Sequence, residues 1–255
     1  MDIFFWIKYG LSKVARYFFA YLNSGEKCVI CDCDTVLLPI CEKCVDEHFN
    51  LDSRFFENRC NFCGRLLVCE DDVCFECREK VVFRNVDFVM PLFSYRLWNK
   101  ELMFMWKSMK VRCLSDFFAE LIGEALIELG VKVVVPVPPR YGKIKEIGWD
   151  QVDELCNILE HRFGFKILRV LERKSVFQQK KLSRDERLES ISEAYALRPF
   201  KKLKKILKPF HDHFPSSVWL LDDVCTTGAT LEACAMNLKK AGIEKVNAIT
   251  LFGVD

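Results

Sequence analysis

Four C-x-x-C pairs lie between Cys28 and Cys77: "CVIC" (Cys28, Cys31), "CEKC" (Cys41, Cys44), "CNFC" (Cys60, Cys63) and "CFEC" (Cys74, Cys77). Nine residues separate the first two pairs and ten the last two, while Cys60 follows Cys28 by 32 residues and Cys77 follows Cys44 by 33. The pattern is a duplication of one small unit. A C-x-x-C turn aims two thiolates at one point, and two such turns complete a tetrahedral sulfur cage for Zn2+. Each unit is too short to bury a core, so the metal supplies its folding energy. Disulfides fit poorly without a secretory signal, and a redox pair needs one C-x-x-C beside a strand and helix, not four in a row. Two structural zinc ions are therefore expected, with the first pair joined to the second and the third to the fourth. A crossed arrangement stays open on spacing alone, and Cys33 and Cys69 are further thiols able to substitute as ligands. Gly64 suits the tight turn of its knuckle.

The chain has 255 residues, 51% of them hydrophobic, and a formal net charge of +2. That composition excludes a disordered tail and a uniformly cationic nucleic-acid binder. The charge is uneven: Lys166 to Lys208 holds 14 Lys/Arg against 5 Asp/Glu, a net of +9, so the remainder sums to −7. Such a segment suits an anionic partner, and a solvated lysine-rich surface explains it equally well. At the N-terminus, Phe4, Ile7, Leu11, Val14, Phe18 and Tyr21 recur at helical spacing. A helix packed on its own protein is the expected form, with a membrane-surface helix as the alternative. The stretch lacks a basic start and a cleavage site, and Lys8, Lys13 and Arg16 interrupt it, so neither a signal peptide nor a membrane span is expected. A cytoplasmic location follows as the expectation.

From Asp87 the pattern alternates. "VDFVMPLFSY", "VKVVVPVP", "FKILRVL", "SSVWLLDDV" and "KVNAITLF" read as strands. "SDFFAELIGEALIELG" reads as a helix N-capped by Ser115 and ended by Gly130, "DQVDELCNILEHRFG" as one capped by Asp150 and stopped by Gly164, and "ATLEACAMNLKKAG" as one that closes before Gly242. Fully apolar strands alternating with helices imply an α/β fold with a parallel sheet covered on both faces. Two segments interrupt it: the basic "RKSVFQQKKLSRDER" and the amphipathic "KKLKKILKPF", whose Leu203, Ile206, Leu207 and Phe210 share one helical face. Trp98, Trp106 and Trp149 are expected in the core, with base stacking as the alternative.

"VWLLDDVCTTGATLEAC" carries the chemistry. Its apolar run places Asp222 and Asp223 at the C-terminal end of a buried strand, where ligands of open α/β sheets bind. The following "CTTGAT" opens a helix, whose free N–H groups and dipole favour an anion. Thr226, Thr227 and Thr230 add hydroxyls, and Gly228 lets backbone approach. A phosphate acceptor beside two carboxylates suits a sugar phosphate. An ordinary strand end, with solvated acids and threonines that cap a helix, is the alternative.

This stretch resembles the phosphoribosyl pyrophosphate (PRPP) signature of type I phosphoribosyltransferases. The chain from Cys28 to its C-terminus resembles the ComF family, which joins a double zinc ribbon to a phosphoribosyltransferase-like domain. "VVVPVPPR", "GWDQVDELC", "QKKLSRDER" and "EAY" match in family order. The resemblance leaves the N-terminal helix expected over 1–24 outside and implies a double zinc ribbon over 25–82 and a type I phosphoribosyltransferase-like α/β domain over 87–255. It assigns Asp222 and Asp223 to the ribose and Cys225, Thr226, Thr227, Gly228, Ala229 and Thr230 to the 5′-phosphate. Pro136, Val137 and Pro138 would hold pyrophosphate, bridged to the ribose by Mg2+. The polar segment from Gln179 to Arg187 would cover the ligand, with Lys180, Lys181 and Arg184 as clamps. The implied activity is transfer of the phosphoribosyl group, linked to DNA uptake in natural transformation and to other uptake proteins. A single-stranded DNA-binding adaptor and a non-catalytic scaffold are the rival classes. The chain departs from the family's Arg-Gly-Phe-Asn-Gln run, carrying Ile147 and Asp150 there, and has Val176 and Ser190 in place of a threonine and an asparagine.

Overall fold

The computed structural model describes Val14 and residues 26–35, 38–51, 57–67, 72–79, 83–140, 142–174 and 194–254. Apart from Val14, the expected N-terminal helix lies outside them, as do Cys69 and the segment 175–193. No helix among the described residues is long and apolar enough to cross a membrane.

Two small units open the chain. The first holds strands β1 (Glu26–Lys27) and β2 (Asp34–Thr35) and helix α1 (Glu42–His48), and the second holds helix α2 (Phe75–Glu79). The duplication is visible bond by bond. Cys28 N–H donates to the Cys33 carbonyl as Cys60 N–H donates to that of Arg65, each at 2.8 Å. The turn then closes through Asp32 N–H to Cys28 O and Gly64 N–H to Cys60 O. Asp32 and Gly64 take matching left-handed conformations, at φ 61° and 66°. Only Gly64 is forced to be glycine, since a Cβ there would sit 2.1 Å from the Val89 carbonyl oxygen.

The α/β unit follows: β3 (Phe88–Ser94), α3 (Trp98–Lys107), α4 (Cys113–Glu128), β4 (Val133–Pro136), α5 (Lys143–Ile147), α6 (Gln151–Arg162), β5 (Lys166–Ile167), β6 (Leu171–Arg173), β7 (Tyr195–Leu197), α7 (Phe200–Leu207), β8 (Ser217–Cys225), α8 (Ala229–Lys240) and β9 (Lys245–Gly253). Five strands form a parallel sheet in the order β3-β9-β8-β4-β5, as the alternating pattern implied. Helices α3, α4 and α6 cover one face, where Trp219 and Leu221 of β8 meet Trp106, Phe118 and Leu155. Helix α8 covers the other, where Val218 and Leu220 meet Leu231 and Leu238. Burying both faces explains why β4 and β8 read as unbroken apolar runs.

Local chemistry sets several boundaries. Asp150 caps α6, its Oδ1 accepting from Asp153 N–H at 3.0 Å, as expected. Ser115 does not cap α4, which begins two residues earlier; its buried hydroxyl instead accepts from Trp106 Nε1 at 2.8 Å. The single strand expected over "FKILRVL" is split: β5 joins the sheet, while β6 pairs with β7 in an antiparallel hairpin. Helix α3 has no start signal in the sequence, because its N-cap is Leu97, which makes no side-chain cap. In α7, Leu203, Ile206 and Leu207 pack on the core, as the stripe implied.

The cysteine units are seated on this domain. Val89 N–H of β3 donates to the Phe62 carbonyl at 2.9 Å, and Arg59 Nη1 bridges the Gly64 and Pro91 carbonyls at 2.7 and 3.0 Å. The second knuckle thus covers the free edge of β3, which tolerates Pro91 because a strand edge needs no N–H from it. Phe49, after α1, is buried edge-on against Phe93 and Phe117 at 5.0 and 5.2 Å between ring centres.

Candidate functional site

Two centres emerge. In the first, the sulfurs of Cys28, Cys31, Cys41 and Cys44 lie within 4.8 Å of one another, as do those of Cys60, Cys63, Cys74 and Cys77. The first pair therefore joins the second and the third joins the fourth, which removes the crossed alternative. The Cys31–Cys41 and Cys63–Cys74 sulfurs are 3.6 and 3.7 Å apart. A tetrahedral zinc with bonds of about 2.3 Å separates its sulfurs by about 3.8 Å, so both cages fit the ion in donor type and size. Backbone N–H groups support the thiolates: Cys41 N donates to Cys28 Sγ and Cys74 N to Cys60 Sγ, each at 3.4 Å. Both groups could hold zinc.

The second centre lies at the C-terminal ends of the parallel strands. After β4 the chain moves outward to β5, whereas after β8 it moves the opposite way to β9. Helices α6 and α8 accordingly fall on opposite faces, and the ends of β4 and β8 form the switch point at which open parallel sheets bind ligands. One side is the Pro136–Val137–Pro138 turn, tied to β8 by Val137 N–H to the Leu221 carbonyl at 2.9 Å. The other side is the end of β8 and the loop into α8. The structure thus brings together Asp222, Asp223, Cys225 to Thr230 and the proline turn.

In the loop, Gly228 has φ +73° and stands at the N-cap of α8. A Cβ there would lie 2.3 Å from the Phe83 ring. Thr226 and Thr227 are exposed, and Thr227 Oγ1 accepts from Ala229 N–H at 3.4 Å. The first turn of α8 leaves backbone N–H groups facing outward. Burial, then the charge of Asp222, pushes the Cys225 thiol up to about 11, so it remains protonated.

The adjacent acids diverge. Successive strand residues point to opposite faces, so Asp222 follows Leu220 and Asp223 follows Leu221. Asp223 is 7% exposed; its Oδ2 accepts from Gln151 Nε2 at 2.7 Å and pairs with Lys107 Nζ at 2.8 Å. Lys143 Nζ reaches Gln151 Oε1 and Asp150 Oδ2 at 2.5 and 2.7 Å. Asp150 is thereby a helix cap paired with Lys143. Among the described residues, Asp222 accepts only Asp223 N–H, at 2.8 Å. Burial first, then the charge of Asp223, raises its carboxyl well above the usual range. On its side lie Cys234 and Tyr195, whose phenol is within hydrogen-bond reach of Thr230.

Sequence reasoning missed Lys107, Lys143 and Arg173. Arg173 stacks on Tyr195, 5.3 Å from the ring centre, across the β6–β7 pair. It also missed Glu232, whose carboxylate accepts from Arg84, Asn85 and Val86 N–H and from Asn85 Nδ2, fastening the entry to β3 onto α8. No local signal marks Lys107, Arg173 or Glu232, since their partners are distant in the chain, whereas Lys143 reaches partners seven and eight residues on, across the turn between two helices. Lys180, Lys181 and Arg184, with Val176 and Ser190, lie outside the described residues, and the side chain of Ile147 is likewise not described. Trp106 and Trp149 pack against each other at 6.4 Å, in keeping with core roles. No family model and no curated protein matches the chain.

Proposed function

We propose that this α/β protein binds a phosphorylated pentose at the switch point between β4 and β8, and that it is a phosphoribosyltransferase-like protein. In particular, we read it as a member of the ComF family, with PRPP or ribose 5-phosphate as ligand. The observation that carries this reading is the convergence at the strand switch point of a helix-opening threonine and glycine loop, a carboxylate pair and the proline turn. The loop N–H groups and threonine hydroxyls suit the 5′-phosphate, the acid end of β8 suits ribose hydroxyls, and the turn from Pro136 to Pro138 suits pyrophosphate. Among the described residues only the two cysteine groups gather three or more ligand side chains. Magnesium would thus be carried chiefly by the oxygens of PRPP. A second support is the hairpin. Lys174 N–H bonds the Ala194 carbonyl at 2.8 Å, and Asn237 of α8 bonds the Tyr195 carbonyl at 3.1 Å. Both ends of the 175–193 segment are therefore rooted on the α8 side of the sheet, and the resemblance makes Lys180, Lys181 and Arg184 of that segment the clamps on the ligand.

Transfer would join an acceptor nucleophile to the anomeric carbon as the bond to pyrophosphate breaks. The protein's share is to position the sugar and stabilise the departing charge. Calorimetric titration with PRPP and Mg2+ tests the reading. Heat of binding that disappears in the Asp222→Asn, Asp223→Asn double variant supports it, and wild-type protein that gives no heat sinks it. Pyrophosphate release with candidate bases and amines then decides whether transfer occurs. The adaptor reading keeps one observation in its favour: Lys201, Lys202, Lys204, Lys205 and Lys208 are exposed along α7 and its end. Binding of single-stranded DNA there must weaken steeply with salt, and salt-insensitive or absent retention on a filter removes it.

A further inference from the structure

The switch point presents two adjacent acids in unequal states. Asp223 is enclosed, and its Oδ2 already holds the Lys107 ammonium from α3 and the Gln151 amide from α6. Gln151 is in turn held by Lys143, which also pairs with Asp150, whose side chain is 3% exposed. Every member of this chain has a partner, and the chain ties α3, α5 and α6 to the end of β8. A ligand hydroxyl that displaced Lys107 and Gln151 from Asp223 Oδ2 would strand the buried Gln151 amide, and leaving a buried donor unpaired offsets what the new hydroxyl bond returns. Asp222 stands on the opposite face. Its Oδ1 accepts one backbone N–H, and its Oδ2 has no hydrogen bond among the described residues. The polar groups on its side are the Tyr195 phenol, the Thr230 hydroxyl and Arg173, beside the first turn of α8.

We propose that the acid pair is divided by function: Asp222 is the carboxylate that takes the ligand, and Asp223, locked between Lys107 and Gln151, is a positioning residue that fixes the end of β8. The ligand arm rests on the ribose phosphate reading; the positioning arm does not. Lys107 and Gln151 become parts of the site's scaffold, and of the two acids only the one on the α8 face grips the sugar.

The test uses the full-length, zinc-loaded protein, melted at neutral pH and titrated with ribose 5-phosphate by calorimetry. Asp222→Asn is expected to weaken binding about tenfold or more, the scale of a lost charge-assisted hydrogen bond, without lowering the melting temperature. Asp223→Asn is expected to lower the melting temperature by several degrees and to weaken binding as a consequence. Adding Lys107→Met to it removes the stranded ammonium and recovers most of both losses. The proposal is overturned if Asp223→Asn keeps the wild-type melting temperature yet loses binding as Asp222→Asn does, or if Asp222→Asn binds as wild type. If Asp223→Asn alone does not fold, folding of the double variant supports the positioning arm, and failure of the double variant as well, with Lys107→Met folded, overturns it. Wild-type protein that binds no ribose phosphate removes the ligand arm together with the function. The melting temperatures still score the positioning arm: additive effects of Asp223→Asn and Lys107→Met overturn it.

Discussion

At the residue scale, Asp222 and Gly228 make the sharpest demands. The Asp222 carboxyl titrates above the ordinary aspartate value of about 3.9 because burial and Asp223 oppose its charge. The folded chain therefore holds a proton that the unfolded chain has released, so this residue favours folding fully only below the unfolded value and loses that contribution as pH rises towards the folded one. Asp222→Asn lacks this slope. Its melting temperature should gain on that of wild type as pH climbs from about 4, and a constant difference between the two would contradict the assignment. Gly228→Ala meets two penalties, a left-handed backbone that costs about 1–2 kcal/mol and a collision with Phe83. Urea unfolding should show the loss. Phe83→Ala in the same chain should relieve the collision and leave the backbone part.

At the scale of elements, the second knuckle acts as an edge cover. The Val89 amide has its acceptor on Phe62, in the turn closed by Cys60 and Cys63. Breaking that cage with Cys60→Ala should speed hydrogen exchange at Val89, whereas Cys28→Ala should leave Val89 slow. Metal analysis should find two zinc ions per chain in the wild type and one in each variant. Equal exchange at Val89 in both variants would mean that the knuckle does not govern the strand edge. Glu232 fastens the chain just ahead of β3, where one carboxylate holds three consecutive backbone N–H groups. Its replacement by alanine should cost about 1.5–3 kcal/mol of unfolding free energy.

At the scale of the whole molecule, the cysteine units and the α/β unit share a core. Phe49, Cys28 and Cys44 belong to the same buried cluster as Phe117 and Phe118, with Phe93 packed against it. A chain starting at Phe83 would bare that surface together with the β3 edge, and it should aggregate or self-associate on size exclusion where the full chain does not. The sequence by itself determined what repeats or alternates: the paired cages, the apolar strands, and the cap at Asp150. Spacing in the chain is enough for these, because turns, helices and strand faces are set by neighbours a few residues apart. It also located the loop from Cys225 to Thr230 and the acids before it. Only the tertiary structure decided which cysteine pairs join, that β6 leaves the sheet to pair with β7, and that Asp223 belongs to Lys107 and Gln151. The last of these depends on groups brought together across 72 residues from Gln151 to Asp223, and the fastening of Asn85 by Glu232 spans 147. Contacts at such separations are chosen by packing and by the need to satisfy buried charge, and no local pattern records them.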